Sequence, residues 1–132
     1  MKHYLILYIC TLTVIVALDL LWLGVIAKQF YQQHIGNMLE LRAAPAILFY
    51  AIYAAGIVVF ASASGKSWQH VALLSAMLGF LAYATYDLTN LATLRDWSLQ
   101  MSIVDMAWGT FVTTFSATIS WIITHKLLSV LH

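Results

Sequence analysis

Charged side chains are scarce in this sequence. They make up 8% of its 132 residues, whereas soluble domains carry about 25%. Hydrophobic side chains make up 63%, and the mean hydropathy is +0.88. A formal net charge of +1 offers no basic surface for a nucleic acid. These values predict an integral membrane protein with one membrane domain over residues 1–132 and no appended soluble domain.

Cysteine and proline are almost absent as well. Cys10 is the only cysteine, which excludes an intrachain disulfide. Pro45 is the only proline, and it stands where the second apolar run begins, so its missing N–H costs a helix nothing. The first apolar run continues from Tyr4 past Asp19 to Ala27 without a small-residue cleavage site. It is therefore predicted to be a retained membrane span rather than a signal peptide.

Four apolar stretches separate the charged residues of the chain. A helix needs about 20 apolar residues to cross a bilayer, and each stretch is long enough. The sequence therefore predicts an all-α integral membrane bundle of four transmembrane helices, at about 4–27, 44–63, 69–94 and 100–124. Residues 28–42 mix aromatic and polar side chains, which is typical of a segment lying in the membrane interface. An ordinary loop with aromatic anchors explains the same pattern equally well.

Lysine and arginine are divided evenly between the two membrane faces that four spans would create. One face would carry Lys2, Lys66 and Lys126, and the other Lys28, Arg42 and Arg95. Because the positive-inside rule counts these residues, it assigns no orientation to this chain. The acidic residues Glu40 and Asp96 favour cytoplasmic termini. The balanced count leaves dual insertion and an antiparallel homodimer open.

Three aspartates interrupt the predicted spans. Asp19, Asp87 and Asp105 each lie eight or nine residues from a charged residue at the same membrane face. At 1.5 Å of rise per residue, all three are predicted about 12 Å along their helices from that face. A charge at such depth costs roughly 2.5 kcal/mol or more, so a shared depth predicts one acidic pocket. Three carboxylates there cannot all be ionised alone, so we expect a protonated aspartate or a bound cation.

Each of these aspartates is followed, three residues later, by a side chain with an N–H donor. These side chains are Trp22, Asn90 and Trp108, while Tyr83 stands one turn before Asp87. Residues at such spacing share a helix face, and indole, amide and phenol groups can donate to a carboxylate. We predict that these four side chains and the three aspartates form a ligand- or proton-binding site. The alternatives are that the aspartates only bond helices together and that Trp22 and Trp108 anchor the membrane interface.

The sequence predicts no metal site and no cofactor. Its five histidines fall at span ends or in loops, without the spacing of a metal site: His3, His34, His70, His125 and His132. A hard cation held by the aspartates stays open. The chain has no Ser-His-Asp set, phosphate-binding glycine loop or cysteine pair, so catalytic residues stay unassigned.

Several long motifs resemble those of a bacterial family of small predicted membrane proteins, catalogued as a domain of unknown function. The motifs are DLLWLGVIAKQFY at 19–31, IGNML at 35–39, YDLTNLATL at 86–94 and VDMAWG at 104–109. The resemblance covers almost the whole chain. It implies a four-span bacterial membrane protein, and it carries over no activity and no catalytic residue.

Three classes of function fit these residues. The first is a module that binds or transports a cation or a small amphipathic ligand with proton coupling, like four-span multidrug exporters, although their single glutamate is not matched here. The second is a membrane-embedded acid/base enzyme, isomerase- or cyclase-like, on a lipid or isoprenoid. The third is a structural subunit or assembly factor whose acids pair with a partner's basic residues.

Overall fold

The protein is an all-α bundle in the computed structural model, which describes residues 2–26, 33 and 42–131. Helix α1 spans Lys2–Leu21 and helix α2 spans Ala43–Ile57. Each continues into one π-helical turn, at Trp22–Ile26 and Val58–Ser62 respectively. Helix α3 spans Trp68–Thr93 and helix α4 spans Leu99–Leu131. All four are long and apolar enough to cross a membrane, so the predicted four-helix class is confirmed.

Short polar turns set where the last two helices begin and end. The Ser67 side chain caps α3 by accepting a hydrogen bond from the backbone N–H of His70 at 3.2 Å. Helix α3 ends where Leu94 turns to an extended conformation. Ser98 then accepts from the N–H of Met101 at 3.1 Å in the first turn of α4. Since so few residues separate them, α3 and α4 form an antiparallel hairpin.

The two ends of the bundle are referred to by their turns. The hairpin face is the end that carries Arg42 and the turn 94–98, and the terminal face carries Lys2, Lys66 and Lys126. Helix α4 extends to Leu131, beyond the predicted end at 124, because apolar residues continue and no glycine or proline stops it. The predicted interfacial segment 28–42 lies outside the described residues, apart from Gln33 and Arg42.

Large apolar side chains cover the outside of the helices as well as the inside. Leu20, Val25 and Phe60 are each about two-thirds exposed, as expected where lipid rather than water surrounds the bundle. Inside, Ile15, Ile57 and other buried residues from all four helices form one apolar core. Apolar side chains occur both in the core and on the lipid-facing surface. Buried polar side chains are therefore what distinguishes the interior.

Helices α3 and α4 make the most extensive contact in the described part of the chain, and glycine allows their close approach. A Cβ added to Gly79 would stand 2.7 Å from the Cβ of Thr113 and 2.9 Å from the carbonyl oxygen of Gly109. A Cβ added to Gly109 would collide with the ring of Tyr83. The absence of side chains at these two positions therefore sets the distance between the two helices.

Replacing Gly109 by alanine should destabilise the bundle by roughly 1–3 kcal/mol, because the new methyl group must displace the Tyr83 ring. The matched control is Gly56→Ala in α2, where an added Cβ meets nothing within 4 Å. Reversible unfolding by SDS in mixed micelles measures both. Equal stability of the two variants would contradict the packing described for α3 and α4.

Candidate functional site

The carboxyl group of Asp19 is the point at which three helices are joined by hydrogen bonds. The Tyr50 hydroxyl of α2 donates to Oδ2 at 2.5 Å, and the Trp108 indole N–H of α4 donates to Oδ1 at 2.7 Å. Asp19 is only 5% exposed. A carboxyl oxygen buried at this depth is costly unless it accepts such bonds. Both oxygens are therefore satisfied by donors from other helices.

Trp108 also packs against the tryptophan that follows Asp19. The rings of Trp22 and Trp108 are stacked, with centroids 4.4 Å apart and an angle of 8° between their planes. Trp22 begins the π-helical turn that ends the described part of the first span. The structure thus brings together three of the predicted site residues, Asp19, Trp22 and Trp108. The indole that donates to Asp19 is that of Trp108, on α4.

Asp87 has a different environment from Asp19. Its side chain is 0% exposed, and neither carboxyl oxygen receives a hydrogen bond from the described residues. Another carboxyl, that of Asp105 on α4, is close enough to act on it electrostatically. Two carboxyl groups form a hydrogen bond only when they share a proton, since two carboxylates repel each other. Asp87 thus has a second acid in its surroundings and, unlike Asp19, no hydrogen-bond donor from the described residues.

The two carboxyl sites are close enough to influence each other. Asp105 lies within electrostatic range of Asp19, and both act on the hydroxyl of Tyr83. The Tyr83 ring lies over Gly109 and meets the ring of Tyr53 edge-on, with centroids 6.3 Å apart. Three carboxyl groups from three helices therefore lie in one region of the bundle, close to tyrosine rings.

Two of the predicted partners of Asp87 do not bond to it in the described structure. Asn90 is partly exposed, and neither its amide nor the Tyr83 hydroxyl donates to the Asp87 oxygens. Spacing along one helix shows which residues share a face, but it does not show whether their polar atoms meet. The group that acts on Asp87 electrostatically is instead Asp105, from another helix.

Helix α2 supplies site residues that sequence reasoning missed. Tyr50 bonds to Asp19, and the Tyr53 hydroxyl shares a hydrogen bond of 2.7 Å with the Thr113 hydroxyl of α4. Buried tyrosine hydroxyls need partners, and these two stand three residues apart, on one face of an uncharged span. That pattern was the available signal for a polar face on α2.

An outer groove between α3 and α4 is separate from the carboxyl groups. It has a volume of about 230 Å³ and is lined by Phe80, Ile103, Met106, Ala107 and Thr110. Its wall is almost wholly apolar and includes none of the three aspartates. The groove therefore offers no titratable side chain to a ligand.

Replacing Tyr50 by phenylalanine should destabilise the protein by about 1–2 kcal/mol, because Asp19 Oδ2 loses its donor while staying buried. Tyr4→Phe is the control, since Tyr4 is 53% exposed on the outside of α1. SDS unfolding followed by tryptophan fluorescence measures both variants. If Tyr50→Phe unfolds with the parent, the Asp19 bonds do not hold the helices together.

Comparison with known proteins places this sequence in a family. Residues 4–122 match the family model described as predicted membrane protein, DUF2177. No significant match is found among curated proteins or among solved structures. The match includes all three aspartates and confirms the resemblance carried by the motifs around them. The chain belongs to the DUF2177 family of predicted membrane proteins.

Proposed function

We propose that Asp87 and Asp105 form a proton-binding site that exchanges its proton for a cationic ligand. The observation that carries the proposal is the Asp87 carboxyl, which is fully buried and has Asp105 as its neighbour instead of a hydrogen-bond donor. A carboxyl placed for structure alone would have found donors, as Asp19 has. An incompletely bonded acid at membrane depth is typical of proton-coupled sites.

The charge balance of the spans supports this exchange. No lysine or arginine stands between Lys66 and Arg95 or between Asp96 and Lys126, the stretches that contain Asp87 and Asp105. Helix α3 itself therefore carries no lysine or arginine. A negative charge on Asp87 would be balanced by a proton or by a cation that enters the site. One proton leaving as one monovalent cation arrives keeps the charge of the site constant.

The surroundings favour an amphipathic organic cation over a metal ion. Among the described residues, no three histidine, cysteine or acidic side chains converge as a metal site would require. Aromatic rings are abundant instead: Tyr86 lies within electrostatic range of both Asp87 and Asp105, and the Trp22–Trp108 stack lies beside Asp19. Aromatic faces attract organic cations, most strongly where water is excluded.

The two members of the pair have different access to the outside. The side chain of Asp87 is fully buried, whereas that of Asp105 is partly exposed and that of Tyr86 is 54% exposed. Both aspartates lie near the ends of their helices at the hairpin face. A ligand would therefore approach from that face or from the adjoining lipid and meet Asp105 first. Asp19 contributes by holding Trp108, which stands one turn after Asp105 on α4.

Tetraphenylphosphonium is a suitable probe, since it is a lipophilic aromatic cation. Purified protein in lipid nanodiscs should bind it with an affinity that rises with pH, by up to about ten-fold per pH unit where one proton is exchanged. Binding in weakly buffered solution should release protons to an indicator dye. Asp87→Asn should lower the affinity roughly ten-fold or more and abolish proton release, since the amide can neither lose a proton nor carry charge.

Asp96→Asn is the matched control, because Asp96 is an exposed aspartate of the 94–98 turn at the same face. It should bind and release protons as the parent does. Binding that is independent of pH in the parent, or a loss as large in Asp96→Asn as in Asp87→Asn, would refute the proposed exchange. Sodium, tested in parallel, shows whether the site prefers an inorganic cation.

A further inference from the structure

Hydroxyl side chains form a row along the interior of α4 towards the terminal face. Thr113, Ser116, Ser120 and Thr124 are spaced by three or four residues, so they share one helix face. All four are 0% exposed. The row covers about 16 Å of the helix, from the level of Tyr53 to the last turns. It lies in the half of the bundle that does not contain the aspartates.

Most of these hydroxyls have no hydrogen-bond partner in the described structure. The side-chain oxygens of Ser116, Ser120 and Thr124 are all unbonded, as are those of Thr11 on α1 and Ser62 after α2. These last two are also buried. Helices α1 and α4 pack together, and the turn that contains Ser62 contacts both of them. Three helices thus contribute unbonded hydroxyls to the same half of the interior.

Other hydroxyls of α4 bond to their own helix, so a helical backbone does not force a hydroxyl to stay unbonded. Thr110 donates to the carbonyl of Met106 at 2.9 Å, and Thr114 donates to the carbonyl of Thr110 at 2.7 Å. Such bonds to the preceding turn are the usual solution for serine and threonine in membrane helices. Ser116, Ser120 and Thr124 make no such bond, although buried hydroxyl groups normally have a hydrogen-bond partner.

We propose that this row holds a file of water molecules that carries protons between the carboxyl cluster and the terminal face. Side chains one turn apart stand about 5–6 Å from each other, too far for a direct bond of about 2.8 Å between oxygens. One water molecule between neighbours spans that gap and bonds to both. A hydroxyl both donates and accepts, so alternating hydroxyls and waters can pass a proton along.

The Thr113 end of the row is connected to the region that contains the three aspartates. Thr113 shares its hydrogen bond with the Tyr53 hydroxyl, and Tyr53 lies within electrostatic range of Asp19. Tyr83 lies beside Tyr53 and within range of both Asp19 and Asp105. A proton that leaves the Asp87–Asp105 pair therefore has polar groups to follow as far as Thr113.

The other end reaches titratable groups at the terminal face. His125 follows Thr124, and its ring meets the ring of His3 edge-on, with centroids 5.4 Å apart. The basic side chains of this face, Lys2, Lys66 and Lys126, are exposed. The row thus ends where protons can pass to bulk water, on the face opposite the proposed ligand entrance. This route rests on the proton exchange proposed above and adds its path and direction.

Hydration of the row can be tested without any ligand. Water-edited solid-state NMR of the full chain in lipid bilayers transfers magnetisation from water to nearby side chains. The threonine and serine Cβ signals of Ser116, Ser120 and Thr124 should gain intensity rapidly, whereas that of Thr114, whose hydroxyl is bonded to its own helix, should stay weak. Signals are assigned by their loss in Ser120→Ala and Thr124→Val. Signals as weak as that of Thr114 would overturn the water file, whatever the outcome of the ligand experiment.

Proton transfer is tested by stopped-flow mixing with tetraphenylphosphonium and a pH indicator. Thr124→Val and Ser120→Ala should slow proton release roughly ten-fold or more while leaving the equilibrium affinity unchanged. Thr114→Val, the isosteric control, should match the parent in both. Unslowed release from Thr124→Val and Ser120→Ala would overturn the route even if the row is wet. A parent that releases no proton would instead refute the exchange at Asp87, and the route with it.

Discussion

The placement of the helices depends on the two hydrogen bonds that Asp19 accepts inside the bilayer. Tyr50 and Trp108 reach this carboxyl from α2 and α4, so it fixes the relative height and rotation of three helices. Trp108 stands three residues after Asp105, and its bond therefore sets where Asp105 faces α3. The meeting of Asp105 with Asp87 follows from that rotation and from the glycine contact between α3 and α4.

Asp19 and Asp87 have different surroundings, although the sequence predicts one depth for all three aspartates. Asp19 is satisfied on both oxygens and positions its neighbours, whereas Asp87 has only another acid beside it. The lack of a donor to Asp87 is costly, because a buried polar group without a donor lowers the stability of the fold. The unsatisfied carboxyl of Asp87 is therefore the basis of the proposed exchange.

Much of the fold was predictable from the sequence, while the pairing of polar atoms was not. Four long apolar stretches predicted the four helices that the structure has. The common depth of the aspartates, counted from the turns, stays a prediction. The groups that act on these acids come from neighbouring helices: Tyr50 donates to Asp19, and Asp105 acts on Asp87 electrostatically. Spacing along one helix cannot identify such groups, so the expected bond from Asn90 to Asp87 is not found in the described structure. The π-helical turn at Trp22 had no sequence signal either, since no proline marks it.

The most direct test of the account is infrared difference spectroscopy of the protein in bilayers, with and without tetraphenylphosphonium. The C=O stretching band of a protonated carboxyl lies at a higher frequency than the bands of carboxylates and amides. The account predicts that this band disappears when the cation binds, shifts in D₂O, and is missing from the difference spectrum of Asp87→Asn. A spectrum with no carboxyl band on binding, or one that Asp87→Asn leaves unchanged, would contradict proton exchange at the Asp87–Asp105 pair.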